Sequence, residues 1–130
     1  MAALHRASFT LPRPWSAVEF TEVLASPFSF ALSRPAGFLI GRVVVDEAEV
    51  LTIAVAPAMQ RTGIGAELIA AFLSEARARG AARTFLEVAE GNLAAIGLYG
   101  RAGFKATGRR KGYYHGNGVV LDAVVMGRDL

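Results

Sequence analysis

Two glycines separated by one residue, Gly63 and Gly65, stand directly before an amphipathic segment in VAPAMQRTGIGAELIAAFL, residues 55–73. Behind them, apolar residues recur at the three- and four-residue spacing of one helix face: Leu68, Ile69, Phe72, Leu73 and Ala76. A β-rich run precedes the glycines. The stretch therefore predicts a strand, a tight turn and a helix.

Such a turn leaves backbone N–H groups free at the start of the helix, where Arg61 adds a positive charge. A phosphate or pyrophosphate is the natural ligand, although an ordinary strained turn without any ligand explains the two glycines equally well. Two common phosphate motifs are excluded. The dinucleotide fingerprint requires glycine where this chain has Leu68, and the P-loop requires Gly-Lys-Ser/Thr, which is absent.

The rest of the chain predicts an α/β fold in one domain, residues 1–130. A helix begins at Ser16, and three strands follow, with a turn at Asp46-Glu47-Ala48 between the second and third. The glycine-led helix, the strand RTFLEVA, a helix capped by Asn92 and two strands joined at Asn117-Gly118 complete the order. Gly80 and Gly103 are expected to end the second and third helices. Strands that alternate with helices indicate a mixed sheet covered by helices.

Composition excludes several classes of protein. No run of eighteen apolar residues predicts a membrane span, and the first residues do not resemble a secretory signal. Without cysteine there is no disulfide, thiol catalysis or Cys-ligated zinc, which is compatible with a cytoplasmic location. His5 and His115 are isolated, so no metal site is expected.

The formal net charge is +3, and a cluster of basic residues contributes locally: Arg101, Lys105, Arg109, Arg110 and Lys111. This cluster is either a solvated face or a rim that attracts an anionic cofactor or an acidic partner. The chain has no basic stripe interleaved with aromatic residues, so nucleic-acid binding is not expected.

Three segments together resemble the GCN5-related N-acetyltransferases: LTIAVAPAMQRTGIGAELI, FLEVAEGNLAAIGLYGRAGF and GRRKGYYHGNGVVLDAVVM. Residues 60–65 match the family's loop pattern Gln/Arg-x-x-Gly-x-Gly/Ala. The second and third segments resemble the RimI-type branch, the ribosomal-protein-alanine N-acetyltransferases. The resemblance covers about residues 42–127. It implies a mixed sheet whose parallel central strands splay apart around acetyl-CoA.

The resemblance also assigns roles. It gives contact with the acetyl and pantetheine groups to the backbone of Ile53, Ala54 and Val55, with the Val55 N–H as oxyanion donor. Asn92 grips the cofactor arm. The pyrophosphate is held by the N–H groups of a run of six residues: Arg61, Thr62, Gly63, Ile64, Gly65 and Ala66.

Residue types alone leave Glu87 open to a solvent-facing position or a pair with an arginine, and Tyr99 to simple core packing. The same resemblance implies that Glu87 is the catalytic base and Tyr99 the acid. Tyr113 and Tyr114 border the acceptor. Strand alternation predicts that these two rings point to opposite faces, so one of them is expected to be a core residue.

The implied activity is transfer of an acetyl group from acetyl-CoA to a primary amine, in particular the N-terminal α-amine of a protein such as a ribosomal protein. A small-molecule amine and a non-catalytic acetyl-CoA-binding module are the alternatives, and the presence of both Glu87 and Tyr99 argues against the module. The strand that opens the family fold is expected to be missing here. The sheet edge left bare is a possible route to a homodimer.

Overall fold

The computed structural model describes residues 16–60, 62–116 and 118–130. Its elements follow the predicted order: α1 (Ala17–Leu24), β1 (Ser29–Arg34), β2 (Gly37–Val44), β3 (Glu47–Val55), a 3-10 turn (Pro57–Met59), α2 (Ile64–Ala78), β4 (Arg83–Ala89), α3 (Leu93–Arg101), β5 (Lys105–Gly116) and β6 (Val119–Asp129). Within these ranges, no helix combines the length and apolar character that crossing a membrane requires.

The predicted helix ends are confirmed. At the start of α1, Oγ of Ser16 accepts from the Glu19 N–H, and the Glu19 carboxylate accepts from the Ser16 N–H, both at 3.2 Å. Oδ1 of Asn92 accepts from the N–H of Ala95 at the start of α3. Gly80 and Gly103 follow the ends of α2 and α3 with φ values of 89° and 93°. That left-handed conformation is the one that glycine adopts without steric cost.

The two hairpins that the sequence predicted, β2–β3 and β5–β6, differ in how well their turns were placed. Gly116 pairs with Val119, so a two-residue loop joins β5 to β6 as expected; Gly118 has φ 72°, and Asn117 lies outside the described residues. The predicted turn between β2 and β3 was misplaced. Val44 pairs with Glu47, so the loop is Val45–Asp46, and Val45 takes φ 57°. A β-branched residue signals a strand, which hid the turn.

One six-stranded sheet has the order β1-β2-β3-β4-β6-β5, and β3–β4 is its parallel pair. Helices α2 and α3 pack on one face, in the core that contains Leu68, Phe72 and Tyr99. Helix α1 covers part of the other face, where Phe20 packs edge-on against Phe38. The expectation of a missing first strand concerns residues 1–15, which lie outside the described residues.

The parallel pair is short. Only Glu47–Glu49 of β3 pair with residues 83–85 of β4, and no ladder joins the rest of these two described strands. The strands therefore diverge toward their carboxyl ends, as the resemblance implied. Because β3 ends near the start of α2 and β4 ends near the start of α3, the gap opens toward both helix N-termini.

Candidate active site

A cleft of about 990 Å³ fills the gap between β3 and β4. Its walls come from four places: residues 49–55 of β3, residues 86–89 of β4, the start of α2 and most of α3. Tyr113 and Tyr114 of β5 also line it. The cleft thus joins the glycine turn, the predicted acid and base, and the predicted acceptor residues in one continuous space.

A β-bulge in β3 lies beside the cleft. Gly41 pairs with Val50 and Ile40 pairs with Thr52, so Leu51 is the extra residue. The bulge reverses the alternation of side chains. Val50 and Ile53 are three residues apart, so a regular strand would place them on opposite faces, yet both pack toward α2. Leu51 packs with the cluster under α1. Bulges commonly re-aim the backbone beside a functional site. No residue in this stretch signals the bulge, and the sequence prediction missed it.

The glycine turn forms one end of the cleft. Gly63 is the N-cap of α2 with φ 93°, and no side chain caps this helix. Gly65 and Ala66, whose N–H groups lie in the first helical turn, line the cleft with it. A Cβ added to Gly65 would lie 3.1 Å from Cδ2 of Leu98, so this glycine also allows α2 to approach α3 closely. An uncapped helix N-terminus at an open cleft suits a phosphate group.

The other predicted cofactor residues are placed as follows. Ile53, Ala54 and Val55 line the cleft. The Thr62 hydroxyl donates a hydrogen bond to the Met59 carbonyl, and the Ile64 side chain packs against the core. For these two residues, the groups left to contact a ligand are therefore those of the backbone. Arg61 lies outside the described residues. Asn92 lines the cleft while its Oδ1 caps α3.

Glu87 reaches the cleft from β4. Its neighbours Leu86 and Val88 pack into the core under α2 and α3, so Glu87 points to the opposite face. The side chain is 17% exposed, and its Oε1 lies 3.0 Å from Nε of Arg110. Pairing of Glu87 with an arginine was an alternative that the sequence left open, but the sequence did not identify which arginine. The two residues are on β4 and β5, with β6 between them, so only the strand order brings them together.

Tyr99 lies on α3 on the helix-covered side and lines the cleft, with 5% of its surface exposed. Burial, and to a lesser extent nearby Tyr114, raises the pKa of Tyr99 far above its ordinary value. Burial also raises the pKa of Tyr114 to about 12, and the negative charge of Glu87 adds to that shift. Tyr114 therefore lies within electrostatic reach of both Tyr99 and Glu87.

The expectation that one of the two adjacent tyrosines is a core residue was wrong. Both rings line the cleft, and they meet edge to face with centroids 5.1 Å apart. The physical reason is a second bulge. Arg110 pairs with Ala123 and Tyr114 pairs with Leu121, so a four-residue advance along β5 lies opposite a two-residue advance along β6. Gly112, within this stretch of β5, has φ 60°. The simple alternation of a regular strand does not hold across such an irregularity.

A polar network holds this bulge. Oδ1 of Asp122 on β6 accepts from the Gly112 N–H at 2.9 Å, and its Oδ2 lies 3.2 Å from the Arg109 guanidinium. Arg109 also binds Glu90, at 2.8 Å. The Gly112 N–H, followed by the Arg109 hydrogen bond, lowers the pKa of Asp122 below its ordinary value.

The basic cluster is consequently divided among three environments. Arg101 lines the cleft beside α3, so a cationic rim is supported at that residue. Arg109 and Arg110 are both paired with carboxylates. Lys105 and Lys111 are exposed. Two of the five charges are therefore offset by carboxylates.

Comparisons with known proteins agree with this geometry. The model of the acetyltransferase (GNAT) family matches residues 3–104. The [ribosomal protein bS18]-alanine N-acetyltransferase of Escherichia coli K12 is 36% identical over 96% of this chain and 87% of its own length. The N-alpha-acetyltransferase RimI of Mycobacterium tuberculosis is also 36% identical, over 98% of this chain and 84% of its own.

The fold comparison gives the same result. The crystal structure of the ribosomal-protein-S18-alanine N-acetyltransferase from Escherichia coli superposes with a TM-score of 0.88 and 32% identity, over 98% of this chain and 84% of that one. The family match spans most of the chain, and the diverging strands, the uncapped helix and the cleft between them suit a phosphorylated thioester carrier. The chain therefore belongs to the acetyltransferase (GNAT) family and is an acetyl-CoA-dependent N-acetyltransferase.

Proposed function

We propose that this enzyme acetylates the N-terminal α-amine of a protein, with a ribosomal protein as the first candidate. The observation that carries the proposal is the position of two groups on opposite sides of one cleft. Tyr99 lies on the side covered by α2 and α3, and Glu87 lies on the opposite side. A thioester in the gap is then reached by a proton donor from one face and by an amine from the other. The relatives that act on the alanine of bS18 support the same class of acceptor.

The proposed cofactor contacts follow the cleft from end to end. The N–H groups at the start of α2, residues 61–66, bind the pyrophosphate. The backbone of residues 53–55 binds the pantetheine arm, in the manner of a strand added to the open edge of β3. The amide of Asn92 binds the arm from α3. The uncapped helix start and the divergence of β3 from β4 after Glu49 support these assignments.

The proposed reaction transfers the acetyl group from the sulfur of acetyl-CoA to the nitrogen of the acceptor. The neutral amine attacks the thioester carbonyl, so a C–N bond forms and the C–S bond breaks. Glu87 accepts the proton that the nitrogen loses, directly or through one water. Tyr99 donates a hydrogen bond, and finally a proton, to the leaving sulfur, and the proton taken by Glu87 returns through solvent to Tyr99, so that both groups regain their starting state. The Val55 N–H stabilises the negative charge on the carbonyl oxygen.

Tyr113 and Tyr114 are the proposed acceptor contacts. Tyr113 is 48% exposed and Tyr114 is half-buried, so the pair forms an aromatic wall at the mouth of the cleft on the Glu87 side. Such a wall suits the backbone and first side chain of a peptide entering with its N-terminus first.

The test measures thiol release from acetyl-CoA with three acceptors: a lysine-free peptide beginning with alanine, the same peptide with a blocked N-terminus, and a polyamine. The proposal predicts turnover with the free peptide alone. Turnover with the polyamine alone would replace it with a small-molecule acceptor. Mass spectrometry of protein N-termini from cells with and without the enzyme then identifies the natural acceptor.

We further propose a cytoplasmic location and a homodimer formed through a sheet edge. Among the described strands, β1 is an outer strand, with β2 as its neighbour. An outer strand offers backbone groups for pairing with a second copy. Sedimentation over a range of protein concentrations tests the dimer, and a monomer at every concentration would refute it.

A further inference from the structure

The Glu87 carboxylate in the cleft forms an ion pair with Arg110. Oε1 of Glu87 lies 3.0 Å from Nε of Arg110, and the two side chains are 17% and 58% exposed. Within the described residues, the other carboxylate oxygen, Oε2, has no hydrogen-bond partner. The pair thus leaves one oxygen free to accept a proton while the other is bound to a positive charge.

A second contact holds the cation at this place. The guanidinium carbon of Arg110 lies 5.2 Å from the ring centroid of Tyr113, a distance at which the ring attracts a cation. Tyr113 in turn packs against Tyr114. Arginine remains protonated at every pH at which a protein stays folded. The acceptor side of the cleft therefore contains a permanent positive charge beside its carboxylate.

This charge bears on the protonation of the acceptor. An unpaired carboxylate favours an ammonium group and raises its pKa, whereas acyl transfer requires the neutral amine. We propose that Arg110 is a positioning residue, which offsets the charge of Glu87 so that the cleft holds the acceptor amine in its neutral form rather than as ammonium. Free α-amines have a pKa of about 8 and lysine about 10.4, so far more of the α-amine is neutral near pH 7. This inference rests on the proposed function.

The experiment compares the parent enzyme with Arg110→Gln, Arg110→Lys and Lys111→Gln. One acceptor is a lysine-free peptide with a free N-terminal alanine. The other is the same peptide with a blocked N-terminus and a single lysine beside it. Thiol release gives kcat and KM for both at several pH values from about 6 to about 9, a range that brackets the α-amine pKa.

For Arg110→Gln, the α-amine peptide should show a lower KM at neutral pH, because the unpaired carboxylate attracts ammonium. Its kcat at neutral pH should also fall. The acid limb of the kcat profile should move up by about 0.5–1 pH unit, because the unpaired carboxylate raises the pKa of the bound ammonium. The shift should be no larger, because Arg110 is more than half exposed and solvent screens its charge. The preference for the α-amine over lysine should stay near the parent value at neutral pH, because the same shift applies to both ammonium groups.

Arg110→Lys keeps the charge and should retain the parent's acid limb. Lys111→Gln removes a neighbouring exposed charge and should leave both parameters unchanged. A merely structural role for Arg110 would raise KM and lower kcat equally at every pH. That result, or an unmoved acid limb, would overturn the inference.

The same data separate the two proposals. A parent enzyme with no turnover of the α-amine peptide would overturn the proposed function, together with this inference. An active parent whose Arg110→Gln variant keeps its pH profile would overturn only the role of Arg110. Circular dichroism and thermal melting check that each variant is folded.

Discussion

The hydroxyl of Tyr99 can be removed with little disturbance to the fold, because Tyr99→Phe keeps the ring. Tyr99 is 5% exposed, and its ring packs against Phe104 with centroids 6.0 Å apart. In the described part of the chain the hydroxyl has no hydrogen-bond partner, so its removal leaves no buried group unsatisfied. We expect the free energy of unfolding to change by less than about 1 kcal/mol.

The expected effect on turnover follows from the raised pKa of Tyr99. Because burial raises that pKa, the hydroxyl stays protonated across the assay range and is a weaker acid than a thiol. Its main contribution is then a hydrogen bond to the charge growing on the leaving sulfur. A hydrogen bond to a charged group contributes about 1.5–3 kcal/mol. A loss of that size lowers kcat by about 10- to 150-fold.

The assay is single-turnover thiol release with the lysine-free alanine peptide, which separates the chemical step from product release. The KM for acetyl-CoA should stay within about twofold of the parent value, because the hydroxyl acts mainly in the transition state. The acid limb of the pH profile should not move, since Tyr99 does not titrate there.

Three results would refute this reasoning. The first is parent-level turnover in Tyr99→Phe. The second is a loss that appears entirely as weaker acetyl-CoA binding, which would make the hydroxyl a binding group. The third is a drop in melting temperature large enough to explain the lost activity, which would mean that the hydroxyl has a structural partner.

Substitutions at four other places, two of them with a matched control, test further features. Glu87→Gln should lower kcat by about 10²–10⁴-fold, most strongly at low pH, where the amine is hardest to deprotonate; an unchanged pH profile would exclude Glu87 as the base. Gly41→Ala should destabilise the fold by about 1–3 kcal/mol in urea unfolding, because its Cβ would lie 2.7 Å from Cζ of Phe30, whereas Gly100→Ala, with nothing within 4 Å, should stabilise it. Val45→Asn should raise the free energy of unfolding by about 0.5–1 kcal/mol, since asparagine tolerates positive φ, and the same change at the neighbouring Val44 should lower it. Asp122 has a depressed pKa, so its stabilisation should be present above its unfolded pKa of about 3.9 and lost as pH falls through the folded value; Asp122→Asn should differ from the parent at neutral pH and converge with it in acid.

Local sequence patterns predicted the order of elements correctly. The capping residues Ser16 and Asn92 act within three residues of their own positions. The stop glycines Gly80 and Gly103 act through their own φ angles. Interactions of this range can be predicted from a short window because every partner lies inside it.

The family resemblance predicted more of the site than local sequence patterns could. It predicted that β3 and β4 diverge and that Glu87 reaches a cleft, and the structure places both features as expected. The residue types alone favoured a solvent-facing or arginine-paired role for Glu87. Hence the family pattern, rather than strand periodicity, indicated that its carboxylate reaches the cleft.

What the chain alone determined is therefore the order of its elements and the ends of its helices, because those depend on neighbours in sequence. Only the tertiary structure decided the bulges at Leu51 and Gly112 and the pairing of Arg110 with Glu87. A bulge depends on how many residues the partner strand offers, and the ion pair depends on β6 lying between β4 and β5. These relations join residues far apart along the chain, so no local pattern carries them.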